Sequence, residues 1–366
     1  MTAGPRDPEV VVVGAGPAGS AAALALARRG RRVLVVEQAH FPRPKVCGGC
    51  LSGDAVAALD GLLGERVRAL GTPVARIGFY SNERRFVTAS PGRCRIVARD
   101  VLDAALADAA NAAGAHVRYG QRAKLLPATA ERWAVRVGDE TLAPDWIIWA
   151  AGLQPAFPVE ESARPRRRLI GQATTIVPTP ACPDVGEVAM HWLRGGYVGL
   201  ATLGAAHCIV AWAVEADVLA GRRPWDALRT ANEQAALLRE LPVGAATSLL
   251  ATAGFPARPP CSGRQNVLLV GDAAGFEEPF SGEGIGQALR SGLAAAEALG
   301  AAGAANVVQA RYRALLRGHR RIRRRTRWLS AALRHPLTRG LLDSSLPIPT
   351  HVGRRLLARV HVKALD

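Results

Sequence analysis

Three glycines spaced Gly14-x-Gly16-x-x-Gly19 narrow the folds open to this chain more than anything else in it, because of what flanks them. Glu9 to Val13 is a short β-branched run, Ser20 to Arg29 is rich in the helix formers Ala and Leu, and Arg32 to Glu37 is strand-like again. Continuous apolar runs mark strands covered on both faces, so the segment opens a βαβ unit of a parallel sheet. Each glycine has its own reason: Gly14 permits a tight turn, Gly16 lets backbone approach a pyrophosphate, and Gly19 allows close helix–strand packing. Ala15, Pro17 and Ala18 complete a helix start whose N–H groups face the anion. Glu37, followed by Gln38, ends the second strand eighteen positions beyond Gly19, where an acid accepts hydrogen bonds from ribose hydroxyls. The motif alone fits NAD or FAD.

Two further apolar segments, Trp146 to Ala150 before Gly152 and Val267 to Val270 before Gly271-Asp272, are expected to be parallel strands ending at the same ligand edge. Between them the pattern changes. Arg76 to Thr88 alternates, and Glu187 to Val214 holds Gly195-Gly196 between strand-like stretches, Tyr197 to Leu203 and His207 to Val214. These predict an antiparallel sheet inserted into the nucleotide fold. At 366 residues the chain exceeds one ordinary core, and the expected division is discontinuous. Residues 1–72, 94–153 and 262–302 form an α/β Rossmann-like domain, 73–93 and 154–261 a substrate domain, and 303–366 a basic helical region.

The charge is concentrated in that last region. Of the formal +17, residues 301–366 carry +13 and the body only +4. The body therefore offers no general nucleic-acid surface, whereas the tail suits an anionic membrane surface. Tyr312, Leu315, His319, Ile322, Thr326, Leu329 and Leu333 recur at helical spacing, an apolar stripe expected to lie on the substrate domain. Six cysteines at 47, 50, 94, 182, 208 and 261 show no disulfide-framework spacing, which points to a reducing cytoplasm. No apolar run reaches the roughly eighteen residues of a membrane span. Oligomeric state leaves no mark on the sequence.

The second glycine cluster separates FAD from NAD. Val267 to Ala274, then Pro279-Phe280-Ser281-Gly282-Glu283-Gly284-Ile285 and an Ala-rich helix, resembles the second FAD fingerprint of flavoprotein hydroxylases and geranylgeranyl reductases. The stretch Phe41-Pro42-Arg43-Pro44-Lys45-Val46-Cys47-Gly48-Gly49-Cys50-Leu51 and the helix start Arg99-Asp100-x-Leu102-Asp103 are similar to the same family. The resemblance implies a glutathione-reductase-type FAD domain in which Asp272 holds ribityl or ribose oxygens and Arg99 reaches the phosphates or adenosine. It also places Lys45, Cys47, Gly48 and Gly152 along the flavin, with the Gly282 to Ile285 amides, Glu283 and Gly284 among them, at its electron-rich edge after Pro279.

Two departures bear on the reaction. The Asp-Gly pair that hydroxylases carry after the third strand is Ala151-Gly152 here. The Tyr-x-Trp-x-Phe-Pro stretch of prenyl reductases reads Tyr197-Val198-Gly199-Leu200-Ala201-Thr202, so only the tyrosine remains. Cys47 and Tyr197 are the expected catalytic residues, with His191 and His207 as structural neighbours that could bind a substrate oxygen. Cys47-x-x-Cys50 has no second pair to complete a zinc site, so no metal is expected, while dithiol exchange stays open. Three readings follow. The altered Tyr197 stretch favours a monooxygenase hydroxylating a small aromatic, polyketide or quinone-like apolar substrate with NAD(P)H as transient donor and oxygen. The alternatives are a prenyl-type reductase with Cys47 as proton donor, and a lipid-binding flavin-fold protein without turnover.

Overall fold

A computed structural model describes residues 7–81, 84–90, 92–157, 169–243, 249–252, 261–276, 282–318 and 363–364 of the 366-residue chain. The expected strands Val10–Val13, Val33–Val36, Trp146–Trp149 and Val267–Leu269 lie in one sheet with His116–Arg118, all parallel, and Gly263–Arg264 is added antiparallel at an edge. Alternation divides each strand between two layers. Val10, Val12, Val33, Val35, Ile148 and Leu268 face a core built with Leu24, Leu26, Leu102, Leu106 and Leu289. These leucines come from the helices Pro17–Ala27, Arg99–Ala112 and Gly284–Ala298. Val11, Val13, Leu34, Val36, Ile147 and Trp149 face the opposite way, onto Leu125, Val135, Val137 and Leu142. Burial on both sides, worth about 1.5–3 kcal/mol for each large apolar side chain, is what holds strands of four residues.

The layer opposite the helices is an antiparallel meander, Ala123–Pro127, Trp133–Val137 and Glu140–Leu142. Its strands lie within the span 94–153 expected for the nucleotide domain. Arginines cap helix ends: Arg28 donates to the carbonyl of Leu62, Arg29 to that of Ala296 and Arg311 to that of Ala298. Part of the arginine content therefore neutralises helix C-termini.

Among the described residues the inserted sheet has eight strands. Leu169–Ile176, His207–Glu215, Gly196–Gly204 and Glu187–Leu193 run antiparallel in that order, Arg76–Ser81 joins the last in parallel, and Arg84–Ser90 follows. On its outer face Val198, Leu200, Val210, Trp212 and Val214 pack against Trp225, Leu228, Leu237 and Leu238. The helices Pro224–Ala231 and Ala236–Glu240 supply these partners. On the inner face Ile77, Val188, Ala201 and Ile209 meet Cys94 and Ile96, joining this sheet to the nucleotide side. The chain is thus a mixed α/β protein with a Rossmann-type nucleotide domain and an inserted antiparallel sheet.

The helix Ala305–Leu315 starts the basic region. Tyr312 is fully buried there, its hydroxyl donating to Leu269 O at 2.7 Å, and the Gln309 amide donates to Val267 O at 2.8 Å. Tyr312 and Leu315, the first members of the apolar stripe, therefore pack on the nucleotide domain and not on the substrate domain as expected, because the Val267 and Leu269 carbonyls hold Gln309 and Tyr312 there. The rest of the stripe lies outside the described residues. No helix among the described residues is long and apolar enough to cross a membrane.

Candidate active site

The glycine turn has the tight conformation expected at Gly14 and the close helix–strand packing expected at Gly19. Gly14 has φ +100°, and a Cβ there would lie 2.6 Å from Ala150 O. A Cβ on Gly19 would lie 1.9 Å from Gly14 O and 3.1 Å from Ala150 Cβ, so helix and strand touch through this residue. Gly16 differs, since its nearest neighbour is an Arg43 nitrogen 3.9 Å away: the space before it is open. Pro17 begins the helix and Ala18 is buried against Gly271, whose φ is +61°.

From this turn a chain of charged contacts runs along the cleft wall. Glu37, buried, accepts from Ala15 N at 2.8 Å and Ala39 N at 3.0 Å, while Gln38 beside it is exposed. Arg43 lies 3.7 Å from Glu37 and 3.3 Å from Asp103, and Asp103 binds Arg99 through both oxygens at 2.9 and 2.7 Å. Burial works against the Arg99 charge, but Asp103, with the Cys47 sulfur beside it, more than offsets this and holds the guanidinium above its ordinary range. Lys45 reaches into the cleft, 3.3 Å from where a Cβ on Gly152 would sit. Enclosure by protein, aided by Arg99, pushes its ammonium below the usual range against the pull of Asp272. The sequence-expected residues Glu37, Lys45, Cys47, Arg99, Gly152 and Asp272 are thereby brought to one cleft, together with Arg43 and Asp103, to which no role was given. Arg43 and Asp103 stood inside quoted motifs; only their spatial meeting marks them.

Cys47 to Cys50 crosses from this wall to the inserted sheet. Gly49 N donates to the Cys47 sulfur at 3.3 Å, and Gly49, φ +71°, could carry no Cβ because Ile209 Cδ1 would be 2.6 Å away. A Cβ on Gly48 would lie 3.8 Å from Ala211 Cβ. Cys50 pairs with Ile96 in a short strand, and burial, with smaller contributions from Cys94 and Cys47, pushes its thiol up to about 12. All six cysteines are free thiols. On the inner face, next to Ile209 and Ala201, the half-buried Ala211 lies beside Gly48, and the half-buried Gly199 pairs with it across the strands under the Met190 sulfur. Met190 and Phe79 flank them as a cross-strand pair. Tyr197 is buried on this same face with its ring 5.6 Å from Trp192. His191, one residue from Trp192, points to the other face and stacks on Tyr80 at 4.4 Å. Burial lowers its pKa to about 4, and His207 lies exposed at a strand end.

Gly282, φ +66°, lies beside Cys50 O, and the helix Gly284–Ala298 begins two residues later with Ile285 buried. The Glu283 carboxylate pairs with Arg290 at 3.1 Å. Pro279 lies outside the described residues. Neither this helix nor Pro17–Ala27 has a side-chain N-cap, which leaves two sets of N–H donors aimed at the cleft. Two uncapped helix starts, an open approach at Gly16 and a cationic wall fit an FAD, which Gly14 to Gly19, Glu37, Cys47 and Gly282 would hold. Among the described residues no cluster of three metal-ligating side chains exists.

The fold and this cleft define an FAD-dependent oxidoreductase. Residues 7–157 match the FAD binding domain family. The chain is 30% identical over 325 residues to the menaquinone reductase of Mycobacterium tuberculosis, covering 80% of this chain and 76% of that protein. It is 28% identical over 307 residues to digeranylgeranylglycerophospholipid reductase 2 of Methanopyrus kandleri, covering 79% and 76%. The solved structure of a geranylgeranyl bacteriochlorophyll reductase-like protein from Thermoplasma acidophilum superposes with TM-score 0.71 at 21% identity over 98% of this chain and 92% of that one. The chain belongs to the geranylgeranyl reductase-like family of FAD-dependent oxidoreductases.

Proposed function

We propose that this chain uses FAD to reduce a flat, apolar, quinone-like or isoprenoid substrate lying across Gly199 and Ala211. The observation that carries the reading is the pair of small, half-buried residues Gly199 and Ala211 on the inner face, where a Cβ on Gly48 would lie 3.8 Å from Ala211 Cβ. The Met190 sulfur covers Gly199, 2.9 Å from where its Cβ would sit, and Met190 with Phe79 offers an adaptable apolar surface to a planar group. Bound FAD supplies hydride, drawn from NAD(P)H. Reduction of a double bond also needs a proton, for which the reading takes the half-buried Cys47 thiol, and Arg99 beside it supports this by its positive charge. The family relatives named for menaquinone support both the reaction and a lipid-like substrate. The Arg-rich region after Gly303 would then hold the protein at the anionic surface where such a substrate resides.

A second reading, hydroxylation of an aromatic polyketide or quinone, is favoured by Tyr197 to Thr202, which lacks the Trp and Phe-Pro of prenyl reductases. Incubation with NAD(P)H and a menaquinone, with and without isotopically labelled oxygen, separates the two. Reduction gives a product heavier by two hydrogens with or without air, and reoxidation by air distinguishes a quinol from a saturated tail. Label from oxygen in the product would favour hydroxylation. No NAD(P)H consumption with any apolar quinone or alkene would leave a binding protein.

A further inference from the structure

Asp103 has no part in the reaction as described, yet its side chain is 0% exposed and both its oxygens are held by guanidinium groups. The two arginines lead in opposite directions. Arg43 runs to Glu37 at 3.7 Å and to the open approach of Gly16, and Glu37 in turn holds Ala15 N at 2.8 Å. Arg99 runs to the Cys47 sulfur. One carboxylate therefore stands between the turn that meets a diphosphate and the thiol at the substrate floor.

An Arg99–Asp103 pair four residues apart on one helix already neutralises the carboxylate. The second guanidinium makes the trio cationic, and Asp103 keeps the two positive groups at a fixed spacing despite their repulsion. We propose that Asp103 is a positioning residue that holds Arg43 toward the FAD diphosphate and Arg99 against Cys47, so that one buried carboxylate sets the geometry at both ends of the cofactor site. The proposal rests on the FAD reading and extends it to residues for which that reading has no use.

Asp103→Asn removes the carboxylate that both guanidinium groups share, whereas Arg43→Gln leaves the Arg99–Asp103 pair in place. The holoenzyme is tested by the FAD dissociation constant, from recovery of free-flavin fluorescence on dilution, and by the rate at which iodoacetamide alkylates the Cys47 peptide at one pH. Both variants are expected to bind FAD at least about tenfold more weakly, the scale of breaking a buried charged hydrogen bond, and Asp103→Asn alone to change the Cys47 alkylation rate. Arg43 is the less buried member, so Arg43→Gln keeps the test open if Asp103→Asn does not fold. Wild-type FAD affinity in Arg43→Gln, or an unchanged Cys47 rate in folded Asp103→Asn, would overturn the proposal. A wild type that neither purifies with flavin nor takes it up would overturn the FAD reading, and the proposal with it.

Discussion

The parallel sheet and the inserted antiparallel sheet put their working positions in different places. Helices cover one face of the parallel sheet and a meander covers the other, so chemistry is confined to the edge where its strands end, at Gly14, Glu37, Gly152 and Gly271. The antiparallel sheet buries its outer face under helices and carries the small, half-buried pair Gly199 and Ala211 in the middle of the inner face. The edge positions are consecutive residues in turns. The face positions are cross-strand partners, and their neighbour Gly48 comes from far away in the chain.

The comparison breaks most sharply at the edge. Gly19→Val should lose soluble folded protein, since its Cβ would overlap Gly14 O, a backbone clash of about 3 kcal/mol or more. Gly16→Val, with nothing closer than 3.9 Å, should melt near the wild-type temperature but purify without flavin colour. Flavin retention in Gly16→Val would show that the cofactor does not approach there.

Next comes the covered face of the inserted sheet. Trp225, 5% exposed with its ring 4.8 Å from Trp212, should cost about 3–5 kcal/mol in urea unfolding when changed to alanine. The native fraction should keep its flavin spectrum. Loss of flavin in proportion to stability would mean that the two sheets are not separate in function.

A smaller effect is expected where the sheets meet. Cys50, its thiol pushed up to about 12 by burial, stays protonated at neutral pH. Cys50→Ala should therefore leave turnover within about twofold, whereas Cys47→Ser should keep FAD and slow turnover. Equal loss in both single variants, with a titratable thiol pair, would favour dithiol exchange. The smallest effect belongs to His191. Its pKa is about 4 folded against an ordinary 6.5, so the unfolded chain takes up the proton first. The neutral ring's contribution is complete above pH 6.5 and is lost as pH falls through about 4. Melting curves between those values should flatten in His191→Phe.

Legibility in the sequence follows the same division. The strands Val10–Val13, Val33–Val36, Trp146–Trp149 and Val267–Leu269 stood out as continuous apolar runs, and their ends as glycine turns, because each signal is local. The meander from Ala123 to Leu142 passed unseen although Val135 and Val137 alternate toward the core, since only its contact with the parallel sheet shows what it covers. Tyr197 stood out within its motif, but the surroundings of Gly199, two positions on, come from Ala211 across the strand pair and Met190 on the other side. Arg43 and Asp103 lay in recognised motifs, and no spacing rule joins a loop arginine to a helix carboxylate sixty positions later.

The division of labour between the sheets is tested most directly by titrating oxidised holoenzyme with a menaquinone while following the flavin's visible spectrum, in the wild type and in Gly199→Leu. The account predicts a saturable change in the wild type, its loss in the variant, and equal flavin content in both. An identical spectral change in Gly199→Leu, or loss of flavin from it, would contradict a substrate floor on the inner face.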